Sequence, residues 1–408
     1  MSSFKCIPRS CVRFEARVAD LPRACACACA CGLVLLACVL PAQAQDDPQP
    51  PNQQQNQPTP PPTPASPPGS GTGSQTDPAS EPPAASGQPL EEEITPELDA
   101  AVSAGLAYLA SIQNDDGSFG GGRYARNVAI TSLACLAFMS DGNLPGRGQY
   151  AANVQHGLDY ILDNAAENGL IAADAANGPM YGHGFSTLFL GEIYGTTAGG
   201  GNTQQADRIY ETLTRAVRLI ERTQNEQGGW RYNPVPYDAD VSVTICQIMG
   251  LRSARNAGLE VDKDVIDKAV AYVRQCQNAD GGFKYQLEGG TSAWPRSAAG
   301  IASLYYAGIY KDKAIDAGLK YLMANATPGK EVNGSHYWYG HYYAVQTMYL
   351  AGGAYWASWW PAIREQLIAS QREDGSWEDR SVGSAYGTAM SLIILQMPKR
   401  YLPIFQKK

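Results

Sequence analysis

One phrase is written four times along this chain: Gln113-Asn-Asp-Asp-Gly117-Ser-Phe119, Gln224-Asn-Glu-Gln-Gly228-Gly-Trp230, Gln277-Asn-Ala-Asp-Gly281-Gly-Phe283 and Gln371-Arg-Glu-Asp-Gly375-Ser-Trp377. The pattern is Gln-x-x-x-Gly-x-aromatic, and an aliphatic residue (Leu109, Ile220, Val273, Leu367) stands four positions before each Gln. That spacing makes the phrase the end of a helix, a last apolar turn followed by a polar turn with glycine. Two weaker copies surround Gly169 and Gly329, so the glycines stand at 117, 169, 228, 281, 329 and 375, a repeat of about fifty residues used six times. A unit of that size cannot bury its apolar face alone, so such units stack and share a core.

Two helical patterns alternate within each unit. The first is amphipathic, as in Leu98, Val102, Leu106 and Leu109 with polar residues between them. The second is apolar nearly all round: Val128 to Met139, Val241 to Leu251, Ala298 to Ala307. A helix of that kind needs cover on most sides. Six amphipathic helices outside and six buried ones inside give an all-α fold, a closed double ring or α/α toroid of six helical hairpins. Closure removes the need for capping repeats.

Gln-x-x-x-Gly-x-Trp/Phe after an aliphatic helix resembles the QW repeat of squalene-hopene cyclases. Residues 94–408 are similar to the prenyltransferase and squalene oxidase repeat proteins of the terpenoid cyclase and protein prenyltransferase superfamily. In that family the Gln is taken to cap a neighbouring helix and the aromatic ring to stack against it. The resemblance therefore implies structural work for the phrase residues.

Upstream of the repeats the composition changes twice. Residues 24–40 are an apolar, cysteine-rich run preceded by Lys5, Arg9, Arg13, Arg17 and Arg23 and followed by Ala42-Gln43-Ala44. Charge, apolar run and small residues in that order read as a signal peptide over 1–44 with cleavage near Ala44, hence a periplasmic, cell-envelope or secreted protein. The alternatives are a retained membrane anchor, for which seventeen apolar residues are short, and a lipid anchor at Cys38. Residues 45–93 are rich in Pro, Gln and Ser with almost no aliphatic content, a disordered tether. Thr95-Pro96-Glu97 then reads as an N-cap, a first-turn proline and a first-turn acid.

Seven of the ten cysteines fall in the leader, so Cys135, Cys246 and Cys276 are expected as buried thiols rather than a disulfide framework. Removing residues 1–44 takes away five basic and two acidic side chains and leaves a net charge of −11, which argues against nucleic acid as a partner.

The polar and aromatic residues that invite a function recur just before or at the start of the inner helices: Tyr124 and Arg126; Tyr181 and His183; Tyr237, Asp238 and Asp240; Trp294 and Arg296; Tyr337, Trp338, Tyr339 and His341; and Tyr386. In a toroid all inner helices enter from one side, so these groups are expected to converge on one mouth of the lumen. Helix N-termini, the two arginines and aromatic walls suit a ligand with an anionic head and an apolar body. The plain alternative is caps and packing aromatics around a filled centre, and for His183 a hydrogen-bonded packing role.

Asp238-Ala-Asp240-Val-Ser-Val-Thr244 resembles the acidic box of squalene-hopene cyclases, in which the middle Asp protonates a polyene. Asp240 matches that acid, while Val241 stands where its acidic partner belongs. The segment is also similar to the zinc strip of protein prenyltransferase β-subunits. Asp240 and His341 match it, but Ser242 replaces the cysteine ligand, so no metal or other cofactor is expected. The reading is an exported toroid that binds, and in one version modifies, an isoprenoid or other amphiphile at the lumen mouth, with Asp240 and Asp238 as candidate acids. Its rivals are a scaffold that binds an envelope protein and a glycan-active toroid using Asp238, Asp240 and Glu192.

Overall fold

The computed structural model describes residues 93–197, 203–329 and 336–406. The expected leader and the tether up to residue 92 lie outside the described residues. Glu93, expected in the tether, belongs to the fold: it is buried, its Oε1 accepts the Trp356 indole N–H at 2.6 Å and its carbonyl accepts that of Trp360 at 3.1 Å. Two stacked tryptophans give a carboxylate just ahead of the first helix a dry seat that composition alone did not announce.

Twelve α-helices are found among the described residues, alternating outer and inner. The outer ones are α1 (Pro96–Ser111), α3 (Ala151–Asp163), α5 (Thr203–Arg222), α7 (Lys263–Gln275), α9 (Lys313–Asn325) and α11 (Gly353–Ser370). The inner ones are α2 (Val128–Met139), α4 (Met180–Thr197), α6 (Val241–Asn256), α8 (Trp294–Tyr306), α10 (Tyr337–Ala351) and α12 (Ser384–Leu395). Burial follows the two patterns: α5 buries one stripe through Ile209, Leu213, Val217 and Ile220, whereas α2 buries all but one of its residues. Each inner helix packs on the next, α2 to α4 to α6 to α8 to α10 to α12, and α12 returns to α2. The fold is an α/α toroid, as the repeat requires.

The first helix starts as read: Thr95 accepts the Leu98 N–H, Pro96 opens the helix, and Glu97 and Asp99 stand in its first turn. Cys135, Cys246 and Cys276 are buried and unpaired.

The repeated phrase fastens one unit to the next. Gln113, Gln224, Gln277 and Gln371 each donate their side-chain amide to the carbonyl of their own Gly and to a carbonyl of the following outer helix, on Asn153, Val265, Ala314 and Ala101. Three residues beyond that carbonyl the phrase glycine lies directly on the same helix. At Gly228, with φ +98°, a Cβ would sit 2.3 Å from the Lys268 carbonyl oxygen, so no other residue fits. Both indoles donate to the carbonyl of the aliphatic residue four before the Gln: Trp230 to Ile220 and Trp377 to Leu367, each at 2.8 Å. Gln371 reaches α1 from the end of α11 and so joins the last unit to the first.

The lumen is closed at the C-terminal ends of the inner helices. Short 3-10 turns at Met397–Lys399 and Pro403–Phe405 pack there, and the Ile404 N–H donates to Glu192 Oε2 at 3.0 Å. Ser253 Oγ holds the other Glu192 oxygen at 2.7 Å.

Candidate ligand-binding cavity at the lumen mouth

The opposite end of the lumen, at the N-terminal turns of the inner helices, holds a cavity of about 1050 Å³. Its depth is apolar: Ile130 and Leu133 of α2 face Phe185 of α4, with Tyr181, Tyr339 and Tyr386 around them. Behind the lining, Phe185 packs edge-to-face on the buried Tyr342, centroids 6.0 Å apart. Burial holds the Tyr181, Tyr339 and Tyr386 phenols well above their ordinary range, so they are neutral hydroxyls at any physiological pH.

The rim is polar. Arg123 lies 4.9 Å over the Tyr124 ring, and the Tyr124 hydroxyl accepts from Asn177 at 2.8 Å. Across the opening, the loop between α11 and α12 brings Arg372, Glu378, Asp379 and Arg380 to the lining. Arg372 pairs with Glu378 at 2.9 Å, and Asp379 Oδ1 accepts the N–H groups of Ser381 and Val382. Trp338 donates its indole N–H to the Glu378 carbonyl at 3.2 Å, which fixes the aromatic wall to this loop. α10 and α12 begin without a side-chain cap, at His336 and Gly383, so their first-turn N–H groups are not spent on a capping side chain.

Of the residues singled out in the sequence, Tyr124, Tyr337, Trp338 and Tyr386 line this cavity, with Tyr181 and Tyr339. The rest do not reach it, for identifiable reasons. Arg126, with a 65% exposed side chain, points outward to Asp116 at 3.2 Å. Arg296 donates to the carbonyls of Phe283 and Thr291 at 3.0 and 2.5 Å and so braces its own loop. Tyr237 is 87% exposed, outside the lining. Trp294 packs on His341 at 4.8 Å, and His341 is buried among Trp294, Tyr337 and Trp359, where desolvation lowers its pKa to about 3.

His183 is a fastening residue. In four units the N–H of the phrase aromatic donates to a hydroxyl on the inner helix: Phe119 to Thr131, Trp230 to Thr244, Phe283 to Ser297 and Trp377 to Thr388. In the second unit Ile171 stands in the aromatic position and its N–H donates to His183 Nδ1 at 3.2 Å. Nε2, 3.2 Å from the Ala216 carbonyl, must then carry the proton. Burial lowers this imidazole to about 4, so it is neutral and committed to two structural bonds.

Asp240 caps α6 through the Val243 N–H at 2.8 Å and is fully buried. Its Oδ2 lies 3.7 Å from Arg231 Nε, and Asp238 forms an ion pair with the same guanidinium. Desolvation raises the Asp240 pKa to about 6, against the Val243 N–H, the Tyr285 phenol and Arg231, which all lower it. The turn around Tyr285 folds over the start of α6: the Val241 N–H donates to the Tyr285 carbonyl at 3.0 Å and Gln286 to that of Ala239 at 3.1 Å. The mouths of α6 and α8 are filled in this way. The cavity therefore belongs to α2, α4, α10 and α12, and neither Asp238 nor Asp240 is on its lining. Among the described residues no three His, Cys, Asp or Glu side chains gather as a metal-ligand group.

The rim cations that the sequence patterning did not single out are Arg123 and Arg380. Arg123 follows Gly120-Gly-Gly122 immediately before Tyr124, and that glycine-rich turn beside an aromatic was the available signal. Arg380 carried none.

A prenyltransferase alpha-alpha toroid domain matches residues 203–336. Comparison with curated protein sequences finds no match. Among solved structures, the type II terpene cyclase MstE from Scytonema is 14% identical, covering 76% of this chain and 100% of its own at a TM-score of 0.51. A complex of an MstE variant with geranylgeranyl dihydroxybenzoate is 13% identical, with 75% and 98% covered and a TM-score of 0.51. An inactive variant of the alpha-1,6-mannanase GH76A of Salegentibacter sp. HEL1_6, in complex with alpha-1,6-mannotetrose, is 8% identical, with 73% and 98% covered and a TM-score of 0.56. The described residues form a prenyltransferase and terpenoid cyclase-like α/α toroid. At these identities the solved structures speak for the fold.

Proposed function

We propose that this toroid binds an amphiphilic molecule with an isoprenoid-like body and a small anionic head, and that it does so outside the cytoplasm. The observation that carries the reading is the cavity: an aliphatic and aromatic well under a rim that bears Arg123 and Arg380. Ile130, Leu133 and Phe185 favour a body without hydrogen-bonding groups, since burying sugar hydroxyls there leaves them unpaired. The carboxylates on the lining, Glu378 and Asp379, are adjacent in sequence and engaged by Arg372 and by backbone N–H groups. That pair is a poor match for two acids facing each other across a glycosidic bond, so a glycan is the weaker candidate. Asp240 sits off the lining beneath a covering turn, which supports recognition over acid catalysis. The protein-binding scaffold draws on no specific observation.

The experiment is titration with geranylgeranyl phosphate, read by native mass spectrometry and by emission from Trp338 and Trp377, which both face the cavity. Ala129, half-buried on the lining at the first turn of α2, provides the control. One-to-one binding is expected, weakened on the order of tenfold or more by Ala129→Trp at unchanged melting temperature, because the indole fills the well. Binding that ignores Ala129→Trp, or binding of alpha-1,6-mannotetraose instead, would overturn the proposal. For the location, N-terminal sequencing of the mature protein should begin near Gln45, and a mature protein that still carries Met1 would refute cleavage.

A further inference from the structure

We propose that the tip Pro234–Tyr237, between the phrase ending at Trp230 and α6, is a bilayer-inserting element that sets the cavity mouth against a phospholipid surface. Tyr237 is 87% and Val235 53% exposed, and they are two of the four large exposed apolar side chains among the described residues. Scattered exposed apolar residues are ordinary. What sets this tip apart is its backbone. Pro234 and Pro236 have no N–H to satisfy, the Val235 N–H donates to the Asn233 carbonyl at 2.8 Å, and the Tyr237 N–H donates to the Val235 carbonyl at 2.9 Å. All four residues can therefore enter the head-group layer without an orphaned donor, which is the donor half of what lipid demands of a backbone, while the carbonyls of Pro234 and Pro236 keep their partners in head-group water.

The flanks agree. The nearest acid, Asp238, is paired with Arg231 and brings no free negative charge to the tip. Tyr232 and Asn233 of the same loop line the cavity, so the tip stands at its edge, where Arg123 and Arg380 can meet lipid phosphates. A tyrosine whose ring enters the acyl boundary while its hydroxyl stays with the head groups is the usual interfacial residue. A protein partner would be expected to use the backbone donors that this tip has already spent.

The inference does not depend on the ligand proposed above. The full chain carrying Tyr237→Trp is mixed with vesicles of phosphatidylcholine and phosphatidylglycerol in equal parts, with plain or brominated acyl chains, beside the unaltered protein and its seven native tryptophans. The added emission should shift to the blue on plain vesicles and lose most of its intensity on brominated ones, with little change in the unaltered protein. If the protein sediments with vesicles but the added emission is the same with both lipids, contact is made elsewhere, as by the apolar run 24–40, and the proposal fails. If it does not sediment, the proposal fails too. Val235→Ser with Tyr237→Ser should leave geranylgeranyl phosphate binding in solution unchanged, so failure here is distinct from failure of the cavity's proposed role.

Discussion

At Asp240 one oxygen holds the first turn of α6 while burial works against the charge that the other shares. A carboxyl whose folded pKa is raised, here from 3.8 to about 6, holds more protons folded than unfolded between those values, so stability declines as pH rises through that window. Asp240→Asn keeps a capping oxygen and removes the charge, whereas Asp240→Ala also removes the cap, costing about 0.5–2 kcal/mol. Denaturant unfolding between about pH 4 and pH 7 should show the unaltered protein losing on the order of 2–3 kcal/mol relative to the Asn variant as pH rises. A difference independent of pH would mean that Arg231 and Tyr285 compensate the charge fully. Binding at the cavity should survive Asp240→Asn, because the residue is off the lining. A stable Asn variant that neither binds nor turns over ligand would return the acid to a functional role.

Among the elements, the phrase was the most legible because Gln, Gly and the aromatic act at fixed distances within one turn. Its bonding partners were not. The inner-helix hydroxyls lie 12, 14, 14 and 11 residues after the aromatic they hold, an irregular spacing of common residue types, and in the second unit Ile171 and His183 take over both positions. The same limit governs the cavity. Position before an inner helix placed Tyr124, Tyr337, Trp338 and Tyr386 on its wall, but the turn at Tyr285 that fills the α6 side is a packing event between repeats and leaves no periodic trace. Trp230 tests the phrase directly. Its ring is buried and its N–H is bonded to Ile220, so Trp230→Ala should cost roughly 3–5 kcal/mol in thermal or chemical unfolding. Ligand affinity measured well below the transition should change little. An unchanged melting temperature with lost binding would show that the phrase aromatics serve the site rather than the ring.

On the scale of the whole molecule, the closed and open ends of the lumen divide the labour. Ile404 and its neighbours seal the C-terminal ends of the inner helices, and the apolar well and the Pro234–Tyr237 tip lie at the other end. The helices that make the well are consecutive around the inner ring, α10, α12, α2 and α4, so the seam between the end of the fold and its beginning runs through the wall. Gln371 stitches that seam to α1 just as its counterparts stitch every other interface they serve. An open stack of repeats can gain or lose a unit at either end and remain a stack. Here the last unit already touches the first, so dropping one would force every remaining contact to turn further before the circle could meet again. The number of repeats is thus a closure condition, which leaves sequence change within the loops at the mouth as the route by which such a ring can alter what it holds.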